Sequence, residues 1–242
     1  MSQTVPTEAN AAPSVDEGAN LSSKLNWLRA GVLGANDGIV STAGIVMGVA
    51  GAAADSQTLL IAGLAGLVAG ALSMAGGEYV SVSSQRDTER AAVESVKESL
   101  AKDPGAALAR LSHSWRSKGL SADLADEVAR DLHRHDAVGS QTEADFGISA
   151  YEQTSPWQAA FASFISFTIG AVIPLVTMVA SPASARVVAT LIAVILALVL
   201  TGSVSSYLGR ASVPKGILRN VIVGCLTMAL TYAIGHIVGV QL

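Results

Sequence analysis

The sequence predicts an all-α membrane protein with five transmembrane helices and a cytoplasmic helical domain inserted between helices 2 and 3. Half of the 242 residues are hydrophobic and only 14% are charged. Five apolar stretches reach the length of about 20 residues that a helix needs to cross a bilayer. The charged residues concentrate between the second and the third of these stretches. The predicted spans cover residues 28–50, 58–82, 157–180, 186–208 and 216–239.

The chain divides into four predicted parts. Residues 1–23 form a polar tail without an apolar cluster, so we expect this tail to be disordered. Residues 24–83 contain transmembrane helices 1 and 2, and residues 156–242 contain helices 3 to 5. Residues 84–155 form the cytoplasmic helical domain.

The Lys and Arg residues indicate an orientation in the membrane, because cytoplasmic segments are enriched in them. With the N-terminus in the cytoplasm, fourteen of the fifteen Lys and Arg residues lie inside and only Arg186 lies outside. The sequence therefore predicts a multi-pass protein of the cell membrane. Its N-terminus and residues 84–155 are cytoplasmic, and its C-terminus lies outside.

Two predicted spans carry acidic residues, which are costly in lipid unless they face a polar path, a proton or a cation. Asp37 lies near the middle of span 1, and Glu78 lies near the end of span 2, one helical turn beyond Met74. Asn36 and Ser41 add oxygen atoms on span 1. Oxygen ligands together with one thioether favour Fe²⁺ or Mn²⁺ over Mg²⁺. The sequence therefore predicts a cation translocation path that includes Asp37, Met74, Glu78 and Asn36.

These residues also have structural explanations. Asp37 could be a protonated packing residue, Met74 could fill core space, and Glu78 could lie at the interface without a role in transport. Rows of small residues raise a similar choice, because they let helices approach closely either within one chain or between two subunits. The rows comprise Ala30, Gly34 and Gly38; Gly44 and Gly48; and Ala62, Gly66 and Gly70.

Two segments of the spans are long and distinctive. They read Leu28-Arg-Ala-Gly-Val-Leu-Gly-Ala-Asn-Asp-Gly-Ile-Val-Ser and Ser73-Met-Ala-Gly-Gly-Glu-Tyr-Val-Ser-Val-Ser-Ser-Gln. Together with the five-span layout over residues 25–242, they resemble the vacuolar iron transporter family. The resemblance implies a homodimer of five-helix subunits that moves Fe²⁺, and often Mn²⁺, out of the cytosol in exchange for protons. By position, Asp37 and Met74 match pathway residues of that family, and Glu78 belongs to its Gly-Glu-Tyr signature.

The central block departs from the family pattern. In the family this block carries spaced glutamates that gather metal, and here those positions hold Val96, Ser99, Ala107 and Arg110. Gln141 and Thr142 stand where the family has a methionine pair, and Asn26 stands where some members have a glutamate. Asp145 keeps its acidic position. The resemblance thus implies either a degraded metal-gathering domain or an alignment that slips by a residue or two.

Read without the family, the central block still has apolar side chains at helical spacing over residues 88–101 and 122–137. Glu94 and Glu98 lie one turn apart on the first of these helices. Together with Asp145, they are candidate metal ligands in the cytoplasmic domain.

A second pair in this block, Asp131 and His135, also has the i,i+4 spacing that can hold a divalent metal. Arginines are interleaved with the acids, so an ordinary solvated face of ion pairs is the alternative to a metal site. These arginines are Arg86, Arg90, Arg130 and Arg134.

The main functional hypothesis is a divalent metal transporter that exports Fe²⁺ or Mn²⁺ from the cytoplasm by proton antiport. The alternatives are a transporter of another cation or small solute on the same scaffold, and a membrane sensor or interaction protein. We do not expect an enzyme, because the chain has no glycine-rich phosphate loop and its one cysteine, Cys225, lies in a span. The expected partners are divalent metal ions, protons, the lipid bilayer and a second copy of the chain. No nucleic acid and no cofactor are expected.

Overall fold

A computed structural model of the chain describes residues 15–53, 55–151 and 154–241. These residues form seven α-helices and no strand, which confirms the prediction of an all-α protein. The helices are α1 (Val15–Gly51), α2 (Ser56–Lys102), α3 (Pro104–Ser117), α4 (Ala122–Phe146), α5 (Pro156–Ala180), α6 (Arg186–Leu208) and α7 (Val213–Gln241).

Five of these helices are long and apolar enough to cross a membrane. They are α1, α2, α5, α6 and α7, and each of them includes one of the five predicted spans. The two remaining helices, α3 and α4, lie between the second and the third span in the chain, where the sequence predicts a helical insertion. The prediction of a five-span, multi-pass architecture is therefore confirmed.

α2 is 47 residues long and continues well past the predicted end of span 2. The sequence predicts a separate helix over residues 88–101, but the structure has one helix through Lys102. The reason is local: α2 contains no proline, and polar pairs one turn apart support the helix where the apolar residues end. Gln85 donates to Glu89 at 2.8 Å, and Lys97 donates to Glu94 at 3.2 Å.

α1 begins at Val15, inside the segment that the sequence predicts to be a disordered tail. Between Val15 and span 1 the chain contains no proline. An existing helix gains one backbone hydrogen bond for each residue that it adds, so extension costs far less than nucleation. This continuity accounts for the longer helix. Residues 1–14 of the predicted tail lie outside the described part of the chain.

The chain divides into two compact units. The first unit comprises residues 1–77 and 158–242, and the second comprises residues 78–157. In the second unit α3 packs against α4. The buried apolar side chains of this unit come from α2, α3 and α4, and they are Val96, Ala107, Leu111, Ala125 and Ala129.

α4 ends at Phe146, later than predicted, and its backbone breaks at Asp136, where φ is −155° and ψ is 86°. The Asp136 carboxylate accepts the backbone N–H of Gly139 and the hydroxyl of Tyr151, both at 2.8 Å. The bond to Gly139 is that of a helix cap, so Asp136 starts the second half of α4. The hydrogen bond to Asp136 raises the pKa of Tyr151, because deprotonation would remove the donor.

In the first unit α1 packs against α6 and α7, which also pack against each other. The glycine rows make such contacts within the chain. Gly34 and Gly38 face α5, Gly44 and Gly48 face α7, and Gly66 and Gly70 of α2 face α1 and α5, where their nearest atoms belong to Ile45 and Phe167. Of the two explanations for the rows, the structure supports packing between helices of one chain.

Candidate functional site

A cleft of about 450 Å³ opens between α1 and α2 in the first unit. Its lining includes one acidic side chain, Asp37, and one thioether, Met74. The structure therefore brings together the two residues that the sequence singled out in different spans. The remaining lining residues are Ser41 and Ile45 of α1, Gly66, Ala69, Gly70 and Ser73 of α2, and Phe167 of α5.

Helical periodicity explains why these residues share one space. On α1 the lining positions 37, 41 and 45 recur every four residues, and on α2 positions 66, 70 and 74 do the same. The glycines at 66 and 70 place no side chain on this face of α2. A Cβ at either position would overlap a side chain across the cleft. Small residues on one wall and polar groups on both walls leave room for an ion.

Asp37 is half-buried, and its Oδ1 accepts the Ser41 hydroxyl at 2.7 Å. This bond fixes the orientation of the carboxylate toward the cleft. Met74 packs partly against the small apolar cluster of Ala71, Phe167 and Ala171. Its side chain therefore contributes to packing and to the cleft wall together. The carboxylate and the thioether can act on the same cation, one by charge and the other as a soft ligand.

Glu78 lies one helical turn beyond Met74 on α2 and is half-buried. It is not among the residues that line the cleft, and it belongs to the second compact unit. Its role in metal translocation stays a prediction.

Asn36 is also absent from the cleft lining. Its side-chain carbonyl oxygen accepts hydrogen bonds from Asn220 Nδ2 of α7 at 3.0 Å and from the Thr201 hydroxyl of α6 at 3.3 Å. The sequence placed Asn36 beside Asp37 as a possible ligand. In the structure its oxygen is occupied by two donors from neighbouring helices.

In the second unit, the structure gives two of the three predicted metal ligands separate partners. Glu94 pairs with Lys97 at 3.2 Å, and Glu98 is exposed on α2. Asp145 accepts Gln141 Nε2 at 2.9 Å on both oxygens, and Arg110 Nε lies 3.9 Å from it. Among the described residues, no group of three or more His, Cys, Asp or Glu side chains could hold a metal ion. Metal binding by Glu94, Glu98 and Asp145 stays a prediction.

The positions where the family's glutamates would fall have structural roles in this chain. Val96 and Ala107 are buried in the core of the second unit. Arg110 Nη2 donates to Ser99 Oγ at 2.6 Å, which ties α3 to α2. The side chains of Gln141 and Thr142 are fully buried. At these positions, therefore, buried apolar side chains and the guanidinium group of Arg110 stand where the family has carboxylates.

Two acids of α4 are paired with arginines, as on a solvated face. Asp131 pairs with Arg134 one turn on, and Asp126 accepts both the Ser112 hydroxyl and Arg116 of α3, the latter at 2.8 Å. These bonds hold the pKa of Asp126 below its ordinary value of 3.8, chiefly through the Ser112 hydroxyl and then through Arg116. The structure thus supports the ion-paired alternative for this face.

Stability of the α3–α4 pair is expected to fall in acid. Because the pKa of Asp126 is lower in the folded chain than in the unfolded one, its stabilising contribution is complete above about pH 4 and is lost as the pH falls through the folded pKa. Hydrogen exchange of α3 and α4 amides in the full chain should therefore accelerate below that pH relative to intrinsic rates. The variant Asp126→Asn should show a weaker pH dependence. Equal profiles for wild type and Asp126→Asn would contradict this reading.

A sequence model of the VIT family matches residues 28–236, which include α2 to α6, most of α7 and the cleft-lining part of α1. The chain belongs to the VIT family. The resemblance stated from the two motifs is thereby confirmed.

The family relatives cover nearly the whole chain. A vacuolar iron transporter of Acanthamoeba castellanii is 39% identical over 213 residues, which are 87% of this chain and 78% of the relative. Vacuolar iron transporter homolog 4 of Arabidopsis thaliana is 36% identical over 219 residues, covering 90% of this chain and 87% of the relative. Vacuolar iron transporter homolog 1 of Oryza sativa subsp. japonica is 36% identical over 230 residues, covering 95% and 81%.

Three residues near the site were not singled out from the sequence, and all three lie within the range that the VIT family model matches. Phe167 closes one wall of the cleft, and Thr201 and Asn220 bond to the neighbour of Asp37. Each of them lies in a span that carries no acidic residue, so no unusual charge drew attention to it. The polar side chain of Asn220 within the apolar run of span 5 was the one feature of the sequence that could have drawn attention to it.

Proposed function

We propose that this chain is a transporter that carries Fe²⁺, and Mn²⁺ as well, out of the cytoplasm in exchange for protons. The observation that carries the proposal is the cleft in which Asp37 faces Met74 between two membrane-spanning helices. A carboxylate at this depth is costly unless it meets a cation or a proton. The relatives named as vacuolar iron transporters support iron as the cargo.

Asp37 is the residue that we propose to couple the two ions. In a site of low dielectric constant, a carboxylate binds either a metal ion in its charged form or a proton in its neutral form. Ser41 donates to Oδ1 at 2.7 Å and so helps to hold the carboxylate in place in the cleft. Release of the metal on the outer side then allows a proton to take its place.

Met74 is the residue that we propose to select the metal. A thioether is a soft and neutral ligand, so it favours Fe²⁺ and Mn²⁺ over Mg²⁺, which prefers an all-oxygen shell. Ser73 adds a hydroxyl on the same wall of the cleft. Glu78, one turn further along α2, would receive metal on the cytoplasmic side of Met74.

A homodimer would complete the ligand set. One chain places a single carboxylate and a single thioether in the cleft, which is few for a divalent ion. A two-fold axis beside α1 and α2 would add a second Asp37 and a second Met74 to one shared path. The resemblance to the family implies the same arrangement. Cross-linking in membranes tests the homodimer, and a result that showed only monomers would contradict it.

We propose that the protein lies in the cell membrane with its N-terminus and the second unit in the cytoplasm. The uneven distribution of Lys and Arg supports this orientation over its inverse. The C-terminus then lies outside, and the metal enters from the cytoplasmic side. Glu94, Glu98 and Asp145 would at most bind metal weakly there, because two of the three are already engaged in ion pairs or hydrogen bonds.

Vesicles that contain the purified full chain test the proposal directly. Fe²⁺ added outside should enter while an internal dye reports movement of protons in the opposite direction. The variant Met74→Leu keeps the volume of the side chain and removes the sulfur. If that ligand contributes about 1 kcal/mol, the preference for Fe²⁺ over Mg²⁺ should fall by about fivefold.

A panel of divalent metals and small solutes separates the alternatives. Transport of Fe²⁺ that is unaffected by the Met74→Leu change would remove the proposed role of the sulfur. Vesicles that move another solute and no Fe²⁺ would favour a different cargo on this scaffold.

A further inference from the structure

Asn36 links three transmembrane helices through one atom. Its Oδ1 accepts one hydrogen bond from Asn220 of α7 at 3.0 Å and another from Thr201 of α6 at 3.3 Å. The Thr201 hydroxyl lies equally far, at 3.3 Å, from the Leu198 carbonyl oxygen of its own helix. The bond from Asn220 is therefore the stronger of the two connections to α1.

The direction of Asn36 determines the direction of Asp37. Successive residues on an α-helix point about 100° apart, so an α1 that turns Asn36 toward α6 and α7 turns Asp37 away from them. Residues one turn further along repeat the pattern: Val40 faces Gly224 of α7, and Ser41 lines the cleft beside Asp37. One face of α1 is held by α6 and α7, and the adjacent face presents the carboxylate.

The glycines of α1 set its close approach to α5 and α7, but apolar contacts specify its rotation less sharply than hydrogen bonds do. Contacts between apolar side chains are non-directional, whereas hydrogen bonds weaken steeply when their angle changes. A buried Asn that fixes the register of packed helices, at some cost in stability, is an established device in helical assemblies. A small rotation of α1 would break both bonds to Asn36 and would turn Asp37 out of the cleft.

We infer that Asn36, Asn220 and Thr201 form an interhelical clamp, which holds α1 at the rotation that presents Asp37 to the metal. Asn36 is then a positioning residue and not a metal ligand. The effect of the clamp on transport rests on the proposed function. The rotation of α1 does not, so it can be measured in a protein whose cargo is unknown.

Thiol labelling measures the rotation. In a Cys225→Ala background, single cysteines are introduced by Ser41→Cys, which lines the cleft, and by Val40→Cys, which faces α7. A water-soluble maleimide should label the first faster than the second. Adding Asn220→Leu should lower the ratio of the two rates by about threefold, the loss that corresponds to one average hydrogen bond between membrane helices.

Matched variants separate the clamp from general damage. Thr201→Val removes the hydroxyl with little change of shape and should lower the labelling ratio by less than Asn220→Leu, whereas Thr201→Ser should leave it unchanged. Thr227→Val removes a hydroxyl that bonds to Val223 of its own helix and should also leave the ratio unchanged. A labelling ratio that stays at the wild-type value in both Asn220→Leu and Thr201→Val would overturn the inference.

Transport kinetics provide the second readout. With Asp37 turned from the cleft, Asn220→Leu should raise the Fe²⁺ concentration that gives half-maximal transport by about threefold, while Thr227→Val should not. A fall in maximal rate with no change in half-saturation would indicate simple destabilisation and would contradict the clamp. If the wild type moves no Fe²⁺, the proposed function fails, and the labelling ratio still decides the inference.

Discussion

Replacement of Asp37 by Asn is expected to abolish both Fe²⁺ transport and the accompanying proton movement. The amide has the size of the carboxylate and can still accept the Ser41 hydroxyl, so the local geometry is kept while the charge is removed. At an effective dielectric constant of about 20, one unit charge at 4 Å from another contributes about 4 kcal/mol. A loss of even part of this attraction predicts a fall of at least about 100-fold in the initial transport rate.

The measurement is the initial rate of Fe²⁺ and of proton movement in vesicles that contain equal amounts of each variant. Asp37→Glu retains the charge and is expected to keep part of the activity. Ser41→Ala retains the carboxylate and loses only its orienting bond, so a fall of a few-fold is expected.

The possible failures of this prediction have different meanings. Wild-type Fe²⁺ transport by Asp37→Asn would remove the physical basis of the transporter assignment at this cleft. Transport of Fe²⁺ that continues while proton movement stops would keep the metal path and replace antiport by passive flow. An inactive variant with a lowered thermal midpoint would indicate misfolding, and the comparison with Ser41→Ala would then carry the test.

The spans and the candidate residues Asp37 and Met74 could be predicted because both follow from short-range rules. The length of an apolar run decides whether a helix can cross a bilayer. Spacing by three or four residues decides which side chains share a face of one helix. Rarity of acids in lipid then drew attention to Asp37. None of these steps needs knowledge of which helix packs against which.

The partners of Asn36 could not be predicted for the opposite reason. Its hydrogen-bond donors, Thr201 and Asn220, lie 165 and 184 residues further along the chain. Helical periodicity shows that Asn36 and Asp37 point in different directions, but it does not show what lies in either direction. Adjacency in the sequence made Asn36 look like a second ligand, and only the packing of α6 and α7 shows that its oxygen is occupied.

In the second unit, too, ion pairs within one helix could be predicted from the sequence, but ion pairs between helices could not. The interleaved arginines of α4 correctly suggested ion pairs, and Asp131 does pair with Arg134. The two pairs that join different helices were not foreseen, because Arg116 and Arg110 come from α3 and reach Asp126 and Asp145 of α4. The unbroken α2 was missed as well, since a change from apolar to charged residues alters the surroundings of a helix without ending it.

Gly38→Ala is expected to disrupt the crossing of α1 and α5, although it adds a single methyl group. A Cβ at Gly38 would overlap the backbone carbonyl of Phe167, and a Cβ at Gly170 would overlap the carbonyl of Ala35. The two glycines therefore let the two backbones touch, and a backbone cannot relieve the overlap by changing rotamer. Overpacking of a core position costs about 1–3 kcal/mol, and the upper end is expected here. The thermal midpoint of the purified protein should fall by about 6–12 °C.

Gly76→Ala is the matched control for this prediction. It makes the same change inside a helix, but a Cβ at Gly76 meets no heavy atom of the described residues within 4 Å. Alanine is also the better helix former, so the midpoint should stay the same or rise slightly. Because the α1–α5 crossing adjoins both Asp37 and Phe167 of the cleft, Gly38→Ala should lose Fe²⁺ transport together with stability, whereas Gly76→Ala should keep both. Equal midpoints for the two variants would mean that α1 and α5 do not touch at Gly38, and the shape of the cleft would have to be revised.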